Sequence, residues 1–189
     1  MKKFHQQQKP PSLAVLLKES DRGCVILTSA MLDSKLKLIH EAFVTSNLTD
    51  QNPPKDILDT LWGSNGPLGT FSGKIHIAYA YGIISGNEWN ALNIIRQLRN
   101  EAAHCHYQFS FEDKGVINLI TGLRDYMLVL SDLDIFESLP YENETSVAKR
   151  QFIAAGFDLF YLLTGKYLKG IEAVMEKRKL LSSTPGSSK

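Results

Sequence analysis

The sequence predicts an all-α fold, a helical bundle of about five to seven helices. Three observations carry that prediction. Apolar residues recur at steps of three and four along most of the chain, a pattern that lines one face of a helix. Helix-start signals stand where such runs begin, above all "SGNE", with Ser85 as N-cap and Glu88 three residues on. No run alternates with period two for long enough to demand a sheet, and "HYQFSF" is the one short extended candidate.

Taken in order, "LAVLLKES" is a short apolar segment that leads into "DRGCVILTSAMLDSKLKLIHEAF". There Leu32, Leu36, Ile39 and Phe43 step by four, three and four along one helical face. The turn signals "DQNPPKD" and "GSNGPLG" flank a helical turn in "ILDTLW". In "TFSGKIHIAYAYG", Phe71, Ile75 and Ala78 hold helical spacing and Gly82 is the expected stop. Ser85 starts the next helix. Ser110 with Asp113 resembles a second start, opening a helix whose apolar stripe is Val116, Ile117, Ile120, Leu123 and Met127. After "ESLPYENET" a last long helix runs from about Ser146 to about Leu181, with Gly156, Gly165 and Gly170 weakening it or letting a neighbour approach closely.

A chain of 189 residues suits one domain. We read residues 1–11 as a mobile N-terminal segment, 12–181 as a single helical-bundle domain and 182–189 as a disordered tail, since both ends are polar and rich in Pro, Gly or Ser. With 43% hydrophobic and 22% charged residues the composition is that of an ordinary soluble globular protein. The formal net charge of +1 lacks the basic excess that draws proteins onto DNA non-specifically. Cys24 and Cys105 form no CxxC and read as buried, reduced thiols. "MKKFHQQQKPPS" has no apolar signal-peptide core, and "FIAAGFDLFYLLTG" is interrupted by Asp158 and too short for a bilayer. The expectation is a cytoplasmic protein that does not engage a membrane.

The stretch "LRNEAAHCHY" carries the most chemistry. At about 100° per residue, Ala91, Leu92, Ile95, Leu98, Ala102 and Ala103 gather into one apolar arc, with Arg99 inside it and Asn100 and His104 along its edge. An arginine so placed needs an anionic partner, because an unpaired buried charge costs several kcal/mol. Two partners are open: a structural ion pair between Arg99 and Asp33, which lies beside the apolar stripe with Arg22 and Ser29, or a ligand phosphate.

"SDRGCVILTSAMLD", "GPLGTFSGKIHIAYAYGII", "LNIIRQLRNEAAH" and then "SFED" occur in that order, and together they resemble the mannitol operon repressor family across most of residues 20–113. The resemblance implies an all-helical negative regulator of transcription without a DNA-reading module. No helix-turn-helix with a basic recognition helix stands out here either. A protein partner and a homodimer are implied, with no direct specific DNA binding.

The six residues "RNEAAH" are also similar to the Arg-polar-x3-His motif of HEPN domains, helical bundles that dimerise. That resemblance implies an alternative: a metal-independent endoribonuclease in which Arg99, Asn100 and His104 of two subunits are catalytic. Cleavage by the RNA's own 2′-OH needs a base and positive charge on the phosphate, roles that suit His104 and Arg99, with Asn100 orienting the histidine or a phosphate oxygen. Whether the chain is an enzyme, and whether RNA is a ligand, stays open at this point.

No metal or cofactor is expected. His104 and His106 flank Cys105, but side chains two apart on a helix diverge, and no second ligand pair has zinc-site spacing. "GPLGTFSGK" lacks the Gly-Lys-Ser/Thr ending of a phosphate loop, so its glycines read as turn residues. Tyr79, Tyr81, Phe157, Phe160 and Tyr161 read as core or dimer contacts.

Overall fold

Five helix starts carry a hydroxyl that accepts from a backbone N–H of the first turn: Ser12, Ser20, Thr70, Ser85 and Ser146. In the computed structural model, which describes residues 10–47, 55–106, 108–130 and 145–183, Ser12 Oγ accepts from Val15 N at 3.4 Å and begins α1, Leu13–Lys18. α2 follows after a short break as Asp21–Asn47, and α3 is Lys55–Trp62. Thr70 Oγ1 accepts from Gly73 N at 3.0 Å to open α4, Phe71–Ala80. Gly82, at φ 67°, then ends α4 in the left-handed region that favours glycine.

The capping box is present as the sequence predicts. Ser85 N donates to Glu88 Oε2 at 2.6 Å and Glu88 N to Ser85 Oγ at 3.3 Å, opening α5, Gly86–His104. The second start differs from expectation. Ser110 Oγ accepts from Glu112 N at 3.1 Å, a turn rather than a box, and α6 begins later, as Lys114–Leu130. α7, Val147–Ser183, completes an all-α bundle of seven helices among the described residues, with no strand there. "HYQFSF" is therefore not extended sheet where it is described, and Tyr107 lies outside the described residues. Residues 1–9 and 184–189, most of the two expected mobile ends, also lie outside them.

α2 and α7 form the central pair and run parallel. Asp21 meets Lys149, Thr28 meets Gly156, and Ala42 meets Gly170, so contacts advance in step along both helices. At Gly156 the approach is close: a Cβ there would lie 2.5 Å from Thr28 Cγ2. The glycine expected to let a neighbour approach does so. α5 and α6 pack against this pair, and α4 covers part of α2 and α5. One apolar cluster from Leu16 to Leu163 joins all of them, with Leu32, Leu36, Ile75, Leu92, Ile95, Phe111, Ile120 and Phe152 fully buried. Along α6 the predicted stripe is buried except at Ile117, which is 40% exposed.

Three ionic contacts fasten the helices. Lys149 Nζ donates to Glu19 O at 2.6 Å and lies 3.5 Å from Asp21 Oδ1, while Asp21 Oδ2 accepts from Phe111 N at 3.0 Å. Lys74 Nζ pairs with Asp33 Oδ1 at 2.7 Å, and His40 Nε2 donates to the Lys74 carbonyl at 2.9 Å. Burial holds the His40 imidazole below the usual histidine range. Glu88, besides capping α5, lies 3.2 Å from Lys166 Nζ.

The two thiols differ. Cys24 is fully buried, and burial pushes its pKa up to about 12. Cys105 is half-buried at the end of α5, a correction to its reading as a buried thiol. Cys24 is thus held as the neutral, unreactive thiol at every ordinary pH. A thiol reagent under native conditions should label Cys105 alone, with Cys24 reacting only on unfolding. Equal labelling of both by mass spectrometry would contradict the burial.

Candidate functional site

α5 buries Ala91, Leu92, Ile95, Leu98 and Ala102, as its apolar arc predicts, but Arg99 and Ala103 are exposed. The wheel failed at Arg99 because burial depends on what lies opposite each turn, not only on angle. α4, of ten residues, spans about 15 Å, whereas α5, of nineteen, spans about 28 Å. Joined by a short turn, α4 covers only the first half of α5: the Trp89 ring lies 5.5 Å from Tyr79 and 5.8 Å from His76. Leu92 lies less than one turn from Trp89, and Arg99 lies two further turns along α5.

The expected ion pair between Arg99 and Asp33 does not form. Lys74, buried and reaching from α4, occupies Asp33 instead. Arg99 Nη1 donates to Asn100 Oδ1 at 3.3 Å, within its own helix. His104 is exposed one turn beyond Asn100. Arg99, Asn100 and His104 are therefore brought to one accessible end of α5, and Asp33 stands apart from them.

The helix end itself is held by Arg22, whose Nη2 donates to Cys105 O at 3.0 Å and Cys105 Sγ at 3.1 Å. A guanidinium on the C-terminal carbonyls satisfies an orphan acceptor and complements the negative end of the helix dipole. Ser29, expected beside Arg22, instead turns inward and donates to Val25 O at 2.7 Å. His104 and His106 are both exposed, and no group of three or more metal-ligating side chains occurs among the described residues.

Sequence reasoning passed over a second polar pair one turn earlier. Arg96 Nε donates to Asn93 Oδ1 at 3.1 Å, and Asn93 Nδ2 to Trp89 O at 3.0 Å. The signal was in "NIIRQLRN", where two Arg–Asn pairs repeat at helical spacing. Trp89, Asn93, Arg96, Asn100 and Ala103 thus form a stripe along α5, with Arg99 at its margin. Neither Arg96 nor Arg99 pairs with a carboxylate among the described residues. Each guanidinium, steadied by an asparagine oxygen, presents a planar donor fork suited to carboxylate or phosphate.

The remaining candidates take structural places. Gly66 N donates to Gly63 O and Gly69 N to Gly66 O, so "GSNGPLG" is a run of turns, as its glycines suggest. Phe157 is buried, Phe160 half-buried, and Tyr79, Tyr81 and Tyr161 are exposed at 48%, 66% and 53%. Three of these five aromatics are therefore not core. Lys35 is buried with its ammonium 4.6 Å from the Phe160 ring centre and 5.4 Å from that of Tyr167, a cation–π contact between α2 and α7.

Comparison with known proteins agrees with this architecture. The chain is similar to a chain of the X-ray structure of the MtlR-HPr complex from Escherichia coli, at 18% identity and a TM-score of 0.50, over 84% of this chain and 98% of that one. At that identity the likeness speaks to the fold. Comparison with curated proteins returns no match. The family model described as mannitol repressor matches residues 17–161, from the end of α1 to the middle of α7. The chain belongs to the mannitol repressor family.

Proposed function

We propose that this protein is a negative regulator of transcription that acts through a protein partner, as a homodimer, without reading DNA itself. Its working unit is the bundle of residues 12–181. The observation that carries this reading is the likeness of fold over nearly the whole length of a chain solved in complex with HPr. Membership of a repressor family and a net charge of only +1 support it. No described helix is long and apolar enough to cross a membrane.

The expected result in isothermal titration is a saturable complex with HPr. In a gel shift at physiological salt the protein alone should show no preference for one duplex over scrambled competitor. Specific retention of DNA by the protein alone would overturn the reading.

One observation favours a second reading, a metal-independent ribonuclease: Arg99 and His104 are both exposed, with Asn100 between them in the helix. It requires RNA cleavage in EDTA that leaves cyclic phosphate ends and falls about 10²–10⁴-fold in His104→Ala. Absence of such cleavage leaves the regulator as the reading.

A further inference from the structure

We propose that Arg96, Arg99 and Asn100 of α5 form a binding site for the dianion of a phosphate group, free or carried as a monoester. The site goes beyond the role of a regulator and stands or falls without it.

Two asparagines build the site by the way they turn two arginines. At about 100° per residue, Arg96 lies between Arg99 and Asn100 around the helix, about 60° from the first and about 40° from the second. Arg99 Nη1 donates to Asn100 Oδ1 at 3.3 Å, so these side chains meet across the strip that Arg96 occupies one turn earlier. Arg96 Nε donates to Asn93 Oδ1 at 3.1 Å, which leaves the Nη1 and Nη2 edge of its guanidinium open. Both cations are thus drawn onto one strip of the surface. Like charges one turn apart on a helix repel, and an anion placed between them relieves the repulsion.

The chain supplies no such anion. Neither guanidinium pairs with a carboxylate among the described residues. Lys74 holds Asp33, and Glu101, the next acid on α5, lies about 140° round the helix from Arg96. Asn100 Nδ2 forms no hydrogen bond among the described residues, which leaves an amide donor beside the two forks. Ala103, exposed and one turn past Arg99, is too small to overhang the strip.

The donor set selects among anions. A carboxylate has two oxygens and one charge, and a single guanidinium fork satisfies it. The strip carries two positive charges and donors from three side chains. A phosphate monoester, with close to two negative charges and three terminal acceptor oxygens, matches both.

The experiment is isothermal titration of the full chain with inorganic phosphate, O-phosphoserine and acetate, at matched ionic strength in chloride. Phosphate should bind saturably, one per chain, and roughly 10-fold tighter than acetate. Arg96→Gln and Arg99→Gln should each weaken it roughly 10-fold, the loss of one charge-assisted contact, and the pair together should weaken it further. Asn100→Asp keeps an acceptor for Arg99 but sets a carboxylate between the cations, so phosphate binding should be lost with both arginines intact. Circular dichroism should show every variant helical. Tighter binding of O-phosphoserine than of inorganic phosphate assigns the dianion to a phosphorylated side chain, and equal binding assigns it to free phosphate.

Phosphate that binds no tighter than acetate, or without saturation, would mean an adventitious ion only and overturn the site. Undiminished affinity in the folded double variant would do the same. Single-stranded RNA bound through these arginines more tightly than either phosphate would overturn the monoester site and give the strip to a nucleic acid backbone.

Discussion

Phe152→Ala is expected to destabilise the protein by about 3–5 kcal/mol, the usual cost of removing a fully buried aromatic ring. Phe152 lies in the first turns of α7 and is wholly inaccessible. Its ring centre is 5.4 Å from that of Phe111, and Phe111 packs edge-on against Phe109 at 5.8 Å. The truncation removes both the transfer free energy of the ring and its dispersion contacts. The cavity closes poorly because its walls belong to different segments: Phe111 lies before α6, and Ile153 and the neighbouring residues of α7 are themselves buried. Urea melts should show a lower midpoint at unchanged slope. A loss below about 1.5 kcal/mol would mean that the core collapses around the site, and that the Phe109–Phe111 segment is less rigid than its packing indicates.

That cluster marks where the sequence was legible and where it was not. The stripes on α2, α5 and α6 were read correctly at most positions because each faces another helix, with Arg99, Ala103 and Ile117 as the exposed exceptions. The Ser85–Glu88 box was legible because both of its bonds are local. Gly156 was legible as a close approach, although Thr28 as its neighbour was not. Arg99 was misplaced because its exposure depends on the length of α4, a different segment of chain. The partner of Asp33 was missed for a related reason: Lys74 sits in the apolar run of α4, where a wheel gives no sign that its ammonium reaches back to α2. Phe109 and Phe111, within a stretch read as extended, are buried without forming a strand. Local chemistry was readable from one segment at a time, and long-range pairing was not.

The second large effect is expected from such a pairing. Asp21→Ala should cost about 3 kcal/mol, the low end for breaking a buried ion pair. The Lys149 side chain is only 9% exposed and would be left without its carboxylate, while Asp21 itself is 29% exposed, so solvent moderates the loss. Asp21 Oδ2 also accepts from Phe111 N, whose donor would then be orphaned beside the aromatic cluster.

Two further variants apportion the cost. Asp21→Asn keeps an acceptor for Phe111 N but no charge for Lys149, so its loss isolates the ionic part. Lys149→Met combined with Asp21→Ala removes both charges from the buried site. It should be less destabilised than additivity of the single mutants predicts, by roughly 1–3 kcal/mol for groups in direct contact. It still forfeits the Lys149 bond to Glu19 O, at 2.6 Å, and so does not return to wild type. Denaturant melts of these three variants, of the single Lys149→Met variant and of wild type decide the matter. Coupling near zero, with Asp21→Asn as stable as wild type, would place the whole effect in the Phe111 hydrogen bond. Lys149 would then hold α7 to the α1–α2 junction through the Glu19 carbonyl alone.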